Sequence, residues 1–147
     1  MFTKEISIAI GADHGGYTLK QFLIYNLQEA GYTLKDYGTD SEKSVDYPDI
    51  AHPLAKDIST GKMKVGILIC GTGNGISMTA NKYKNVRAAL CWRTEIAELA
   101  RLHNDANIIA LPGRFIDFEI ALEMVKLFLN TSFEGGRHLK RIEKINI

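Results

Sequence analysis

Residues Val65 to Ser77 read VGILICGTGNGIS: an apolar strand, a thiol at its end, and a glycine-rich turn that opens a helix. The apolar run Val65, Ile67, Leu68, Ile69 marks a strand covered on both faces, and so a parallel sheet layered by helices. Such sheets bind ligands beyond the carboxyl ends of their strands, where Cys70 and its turn fall. The amides of Gly71, Thr72, Gly73, Asn74 and Gly75 are expected to open into the space beside Cys70, with a helix N-terminus behind them. That position suits an anion or a thiolate held at the mouth of a crevice.

Outward from this stretch, strand and helix patterns alternate to both ends of the chain. Ile6, Ile8 and Ile10 mark a first strand, and Leu19, Phe22, Leu23, Leu27 and Ala30 follow at helical spacing, with Gly31 as the stop. Tyr32 to Tyr37 forms a weaker second strand, then a polar loop, GTDSEKSVDYP. Pro48 suits a helix start, and Ile50, Leu54 and Ile58 carry that helix to Gly61; Pro53, near the start, should cost at most one backbone bond or kink the first turn. After strand three a helix is expected from about Gly75 to Tyr83, then strand four, Val86 to Leu90. Thr94 is expected to cap a helix reaching His103, and Ile108 to Leu111 makes strand five. Asp117 is expected to cap a helix to about Leu129, and RHLKRIEKI a short basic one.

Five βα units predict a single α/β domain over residues 1–147, a doubly wound five-stranded parallel sheet flanked by helices. The order 2-1-3-4-5 is preferred because its switch point lies between strands one and three. Their C-terminal loops, GADHGG and CGTGNG, are the two richest in chemistry.

The 147 residues carry a formal net charge of only +1, with scattered basic residues, so neither a nucleic-acid nor a membrane surface is indicated. The opening MFTKEISIAIG has no long apolar core and no small-residue cleavage site, and a cytoplasmic protein is expected. Cys70 and Cys91 fall in different predicted strands without a CxxC pairing, which fits reduced thiols better than a disulfide or a zinc site.

Several phosphate motifs are excluded by single residues. Ile76 stands where a dinucleotide fingerprint needs its third glycine, and also where a cysteine phosphatase loop needs its arginine; a Walker-type Gly-Lys-Ser/Thr ending is absent. A strand cysteine is ordinarily inert core, but a thiol that meets a nest of amides is a competent base or nucleophile. Asp13 and His14 either cap the first helix or face the same pocket as Cys70. His103 and Asn104 end the fourth helix, where a histidine also answers the helix dipole. Arg114 follows strand five on the ligand side. Arg137 and Arg141, spaced i, i+4, share a helix face and suit a phosphate, although a solvated basic face is the commoner use. His52, His138, Arg87 and Cys91 read as structural.

Taken in order, GADHGG, the VDYP loop, ILICGTGNGIS followed by ANK, RLHNDAN and GGRHLKRIEKI resemble the ribose-5-phosphate isomerase B family and its galactose-6-phosphate isomerase relatives. The resemblance runs from strand one to the last helix. It implies a Rossmann-like or flavodoxin-like domain, a homodimer or homotetramer with sites built from both subunits, a phosphorylated aldose or ketose as ligand, and no metal or organic cofactor. By the same resemblance Cys70 is the proton-abstracting base, His103 the ring opener and Thr72 the residue near the enediolate. One branch of the family uses instead a glutamate where Ile76 stands here. Phosphate contacts fall on His14, Arg114, Arg137 and Arg141. Sugar contacts fall on Asp13, Asp46, Tyr47, Gly71, Gly73, Asn74, Gly75, Ser77 and Asn104. The galactose-6-phosphate isomerases divide these roles between two different chains, whereas this sequence holds the whole set. The implied reaction interconverts ribose 5-phosphate and ribulose 5-phosphate through a cis-enediolate. A six-carbon sugar phosphate (allose 6-phosphate or galactose 6-phosphate) and a non-catalytic phosphate-binding module are the alternatives.

Overall fold

The structure, a computed structural model, describes residues 1–147. Its strands are β1 (Ile8–Ala12), β2 (Leu34–Asp36), β3 (Val65–Cys70), β4 (Ala88–Leu90) and β5 (Ile108–Pro112). Its helices are α1 (Tyr17–Glu29), α2 (Tyr47–Ser59), α3 (Asn74–Ala80), α4 (Thr94–Asn104), α5 (Phe118–Asn130) and α6 (Arg137–Glu143). All strand pairings are parallel, as the buried apolar run of β3 requires.

The sheet order is β2-β1-β3-β5-β4, so the expected positions of the last two strands are exchanged. The reason lies in burial. β5, IIALP, is buried at every position and takes the interior place, while β4 is three residues long, only half-buried, and forms the edge. The exchange also decides where α4 goes. Right-handed crossovers put helices on opposite faces when the chain reverses direction across the sheet. Stepping outward, α2 and α3 cover one face; α1, and α4 on its return from β4 to β5, cover the other, together with α5.

Alternation along each strand feeds the two cores. Ile8, Ile10, Ile67, Ile69, Ile109 and Leu111 meet α1, α4 and α5. Ala9, Leu68, Cys70, Ile108 and Ala110 meet Leu54, Ile58, Ile76 and Ala80 of α2 and α3. Complete burial of each such Leu or Ile is worth about 1.5–3 kcal/mol.

Capping differs in one place from expectation. Asp117 does cap α5, accepting from the Glu119 and Ile120 amides. Thr94 is instead the first residue of α4, whose N-cap is Arg93 in extended conformation with no side-chain cap bond. The Thr94 hydroxyl contacts the Glu95 carboxylate, a short-range alternative that removes it from the helix end. Pro53 is accommodated inside α2, which continues to Ser59. No helix is long and apolar enough to cross a membrane.

Candidate active site

Because β5 neighbours β3, three loops instead of two meet at the carboxyl edge of the sheet. The Asp13 amide donates to the Ile69 carbonyl at 3.1 Å, the Gly113 amide to the Cys70 carbonyl at 2.8 Å, and the Arg114 amide to the Gly71 carbonyl at 3.1 Å. Asp13, Cys70 and Arg114 are thereby stitched side by side. A methyl group placed on Gly71 would lie 3.4 Å from the Arg114 guanidinium, so that side chain lies over the turn. The Gly15 amide donates to Asp13 Oδ1 at 2.9 Å, and α1 takes Gly16 as its N-cap with no side-chain bond, so neither Asp13 nor His14 caps the helix. His14 Nδ1 accepts the Val45 amide at 3.2 Å. In the neutral ring the proton then sits on Nε2, which is left as a donor.

Cys70 is 4 % exposed and lies beneath these loops, packed among the buried residues under α2 and α3, deeper than the mouth position expected. The Gly73 amide reaches down to its sulfur at 3.2 Å. Gly73 can aim that amide because it sits at φ +75°, with the Leu90 side chain and the Leu111 carbonyl where a β-carbon would go. Gly75 opens a second close approach: a side chain there would run into the ring of Tyr47, which begins α2. Tyr47 and its N-cap Asp46 thus form the outer wall, both exposed. Exposed Thr72 accepts the Asn74 amide through its hydroxyl at 3.2 Å. Ser77 is buried and spends its hydroxyl on the Asn74 carbonyl at 2.8 Å, a bond internal to α3.

The remaining predicted residues lie at the other end. Helix α4 runs back to the amino edge of the sheet, where Arg87 Nε donates to the Asn104 carbonyl at 3.0 Å and the Gly66 amide donates to the Asn107 carbonyl. His103 and Asn104 are therefore separated from Cys70 within one chain by the length of β5, roughly 13–16 Å at about 3.3 Å per residue. Arg137 and Arg141 go with them, because α6 packs against α4. Both guanidinium groups are exposed. The end of α4 is held firmly. Arg101, buried against the rings of Phe2 and Phe128, donates to Asp105 Oδ1 at 2.8 Å and to the Ala106 carbonyl.

Beside His103 the structure adds a residue that had read as structural. His138 is buried, stacks on His103 with ring centroids 4.2 Å apart and planes inclined by 14°, and its Nε2 has no hydrogen-bond partner. Burial, followed by the charge of His103, holds its imidazole below the usual histidine pKa. Nothing local announced this, since His138 is rotated about 100° from Arg137 on the same helix and its partner is 35 positions away. Of the other three residues read as structural, His52 bonds Tyr83, Arg87 pairs with Asp105, and Cys91 is a free, fully buried thiol.

Two clusters thus sit at opposite edges of one sheet, and known proteins share the fold that carries them. Residues 8–145 match the family described as Ribose/Galactose Isomerase. The ribose 5-phosphate isomerase of Thermotoga maritima is 48% identical and superposes with a TM-score of 0.94 over 96% of this chain and 97% of its own. The ribose-5-phosphate isomerase B of Mycoplasma genitalium, solved with bound ribulose-5-phosphate, is 41% identical, with a TM-score of 0.91 over 95% and 93% of the two chains. A D-erythrulose-4-phosphate isomerase of Pectobacterium atrosepticum is 44% identical over 95% of this chain and 93% of that one. This chain belongs to the ribose/galactose isomerase family, and is a sugar-phosphate isomerase of the ribose-5-phosphate isomerase B type.

Proposed function

We propose that the substrate pair is ribose 5-phosphate and ribulose 5-phosphate and that Cys70 is the base. The observation that carries this is the Cys70 sulfur at the carboxyl edge of the sheet, bonded to the Gly73 amide, with the His14 and Arg114 loops on either side. As thiolate, Cys70 takes the proton from C2; the C–H electron pair forms the C1–C2 double bond, and the carbonyl oxygen gains the charge of a cis-enediolate. Amides of the glycine turn would meet that charge, an interaction worth on the order of 3–4 kcal/mol per donor in other enzymes. The C2 hydroxyl proton passes to O1 beside Thr72, and return of the first proton to C1 completes the ketose. Arg114 and the His14 Nε2–H would hold the phosphate, which makes no bonds in the reaction but fixes C1 and C2 against the sulfur.

In this account the site is completed across a homodimer. Ring opening by His103, with Asn104 beside it and phosphate contacts from Arg137 and Arg141, comes from the second subunit, since in one chain these groups lie at the opposite edge of the sheet from Cys70. A two-fold axis that sets the α4–α6 end of each protomer on the carboxyl edge of the other creates two identical sites.

Incubation with ribose 5-phosphate, allose 6-phosphate, galactose 6-phosphate and D-erythrulose 4-phosphate, read as aldose–ketose conversion, decides the substrate. The highest kcat/KM is expected on the pentose; a preference for the four- or six-carbon sugar would overturn it. Cys70→Ala is expected to abolish turnover while leaving phosphosugar binding in place, and near-normal turnover would remove the thiol from the chemistry.

A further inference from the structure

His103, His138 and Glu134 form a cluster whose chemistry isomerisation does not exhaust. Each offers a ligand atom, and these atoms lie within 4.8 Å of one another. Glu134 Oε2 is 3.8 Å from the Nε2 of both histidines. The backbone beneath the carboxylate is anchored, because the Glu134 amide donates to the Leu102 carbonyl at 3.1 Å, which fastens the coil before α6 to the end of α4. The independent sign of a missing partner is His138 Nε2. It is buried, has no hydrogen bond, and faces the carboxylate at a distance too long for one.

We propose that this trio is a binding site for an imidazole-seeking divalent cation such as Zn²⁺. Two imidazoles and one carboxylate are a zinc ligand set that leaves a fourth position open. Bond lengths of about 2.0–2.1 Å put tetrahedral ligands about 3.3 Å apart, so the two 3.8 Å separations need to shorten by about 0.5 Å, and the widest separation of the set, within 4.8 Å, by up to about 1.5 Å. The Glu134 side chain is half-exposed and free to move. The imidazoles are stacked, so capture of a metal turns them out of parallel to converge on it. Arg137 and Arg141 raise the positive field at His138. That field opposes cations held by charge alone, so Mg²⁺ and Ca²⁺, which seek oxygen, are disfavoured against an ion bound through nitrogen. Occupancy takes His103 out of reach of a sugar ring oxygen, so the metal is an inhibitor. This last consequence rests on the ring-opening role proposed above, whereas the binding does not.

Calorimetric titration of chelator-treated full-length protein with ZnCl₂, and separately with MgCl₂, tests the site. One Zn²⁺ per chain is expected, with no detectable Mg²⁺. His138→Asn and the solvent-side variant Glu134→Gln should each weaken Zn²⁺ by no less than the roughly 10–100-fold lost when a metal's outer partners are removed. Far-ultraviolet circular dichroism verifies that both variants are folded. Absence of Zn²⁺ binding up to about 100 μM, or undiminished affinity in Glu134→Gln, overturns the site, as does transfer of the loss to Cys70→Ser. Turnover assayed with and without a chelator reads the consequence. Zn²⁺ that binds through Glu134 without inhibiting upholds the site and removes the special role of His103; failure to bind leaves the isomerase account untouched.

Discussion

Gly73→Ala probes the turn that delivers an amide to the Cys70 sulfur. At φ +75° an L-residue costs about 1–2 kcal/mol. The added β-carbon would lie 3.0 Å from the Leu111 carbonyl carbon and 3.1 Å from its oxygen, and would collide with the Leu90 side chain. Leu111 belongs to the buried strand β5 and cannot give way, so overpacking adds about 1–3 kcal/mol. The total, about 2–5 kcal/mol, is a large part of the roughly 5–15 kcal/mol that stabilises a domain. Urea unfolding should show a lowered midpoint, with kcat falling more than KM rises because the displaced amide no longer faces the sulfur. A loss below about 1 kcal/mol together with an unchanged kcat would refute the argument that this backbone geometry is required.

Three further outcomes are expected of the same fold. The Tyr37 hydroxyl donates to Asp57 at 2.6 Å, and this bond is the main reason that the carboxyl pKa falls below its usual 3.8. The stability so gained is present at neutral pH and is lost as pH falls below 3.8 through the folded pKa, so Tyr37→Phe should cost about 1 kcal/mol at pH 7 and progressively less in acid. An equal gap between the two melting curves at pH 7 and pH 2.5 would contradict it. Iodoacetamide on folded protein should label Cys70 and spare Cys91, whose thiol is pushed up to about 12 by burial; faster labelling of Cys91 on a peptide map would contradict that order. Converting Arg137 and Arg141 together to Ala should chiefly raise the KM for phosphorylated sugars, and unchanged affinity would dismiss them as phosphate contacts.

Most of the fold was legible because the signals are local. The apolar strands, Gly31 and the Asp117 cap each act within a few residues of themselves. Strand order is not local: Arg87 and two alanines set VRAAL apart from the unbroken apolar run IIALP, but which of them lies inside is decided by burial in the finished sheet. That single exchange is what brings Arg114 beside Cys70 and sends α4 to the face of α5. Of the site, the glycine turn was readable from its own residues. The separation of His103 from Cys70 was implicit in helix direction, because a helix that follows a parallel strand must end at the sheet's opposite edge. The partnership of His138 with His103 and Glu134 had no sequence signal, as it depends on how α6 docks.

The central claim is that one chain supplies the Cys70 end of a site and a second chain the His103 end. Mixing Cys70→Ala with His103→Asn protein, after partial unfolding to exchange subunits, tests it directly. Random pairing makes about half the dimers mixed, each with one intact and one doubly altered site, so activity should recover to about a quarter of the wild-type value from two inactive parents. If exchange is verified by mass and the mixture stays inactive, the two clusters do not meet across an interface, and the account fails.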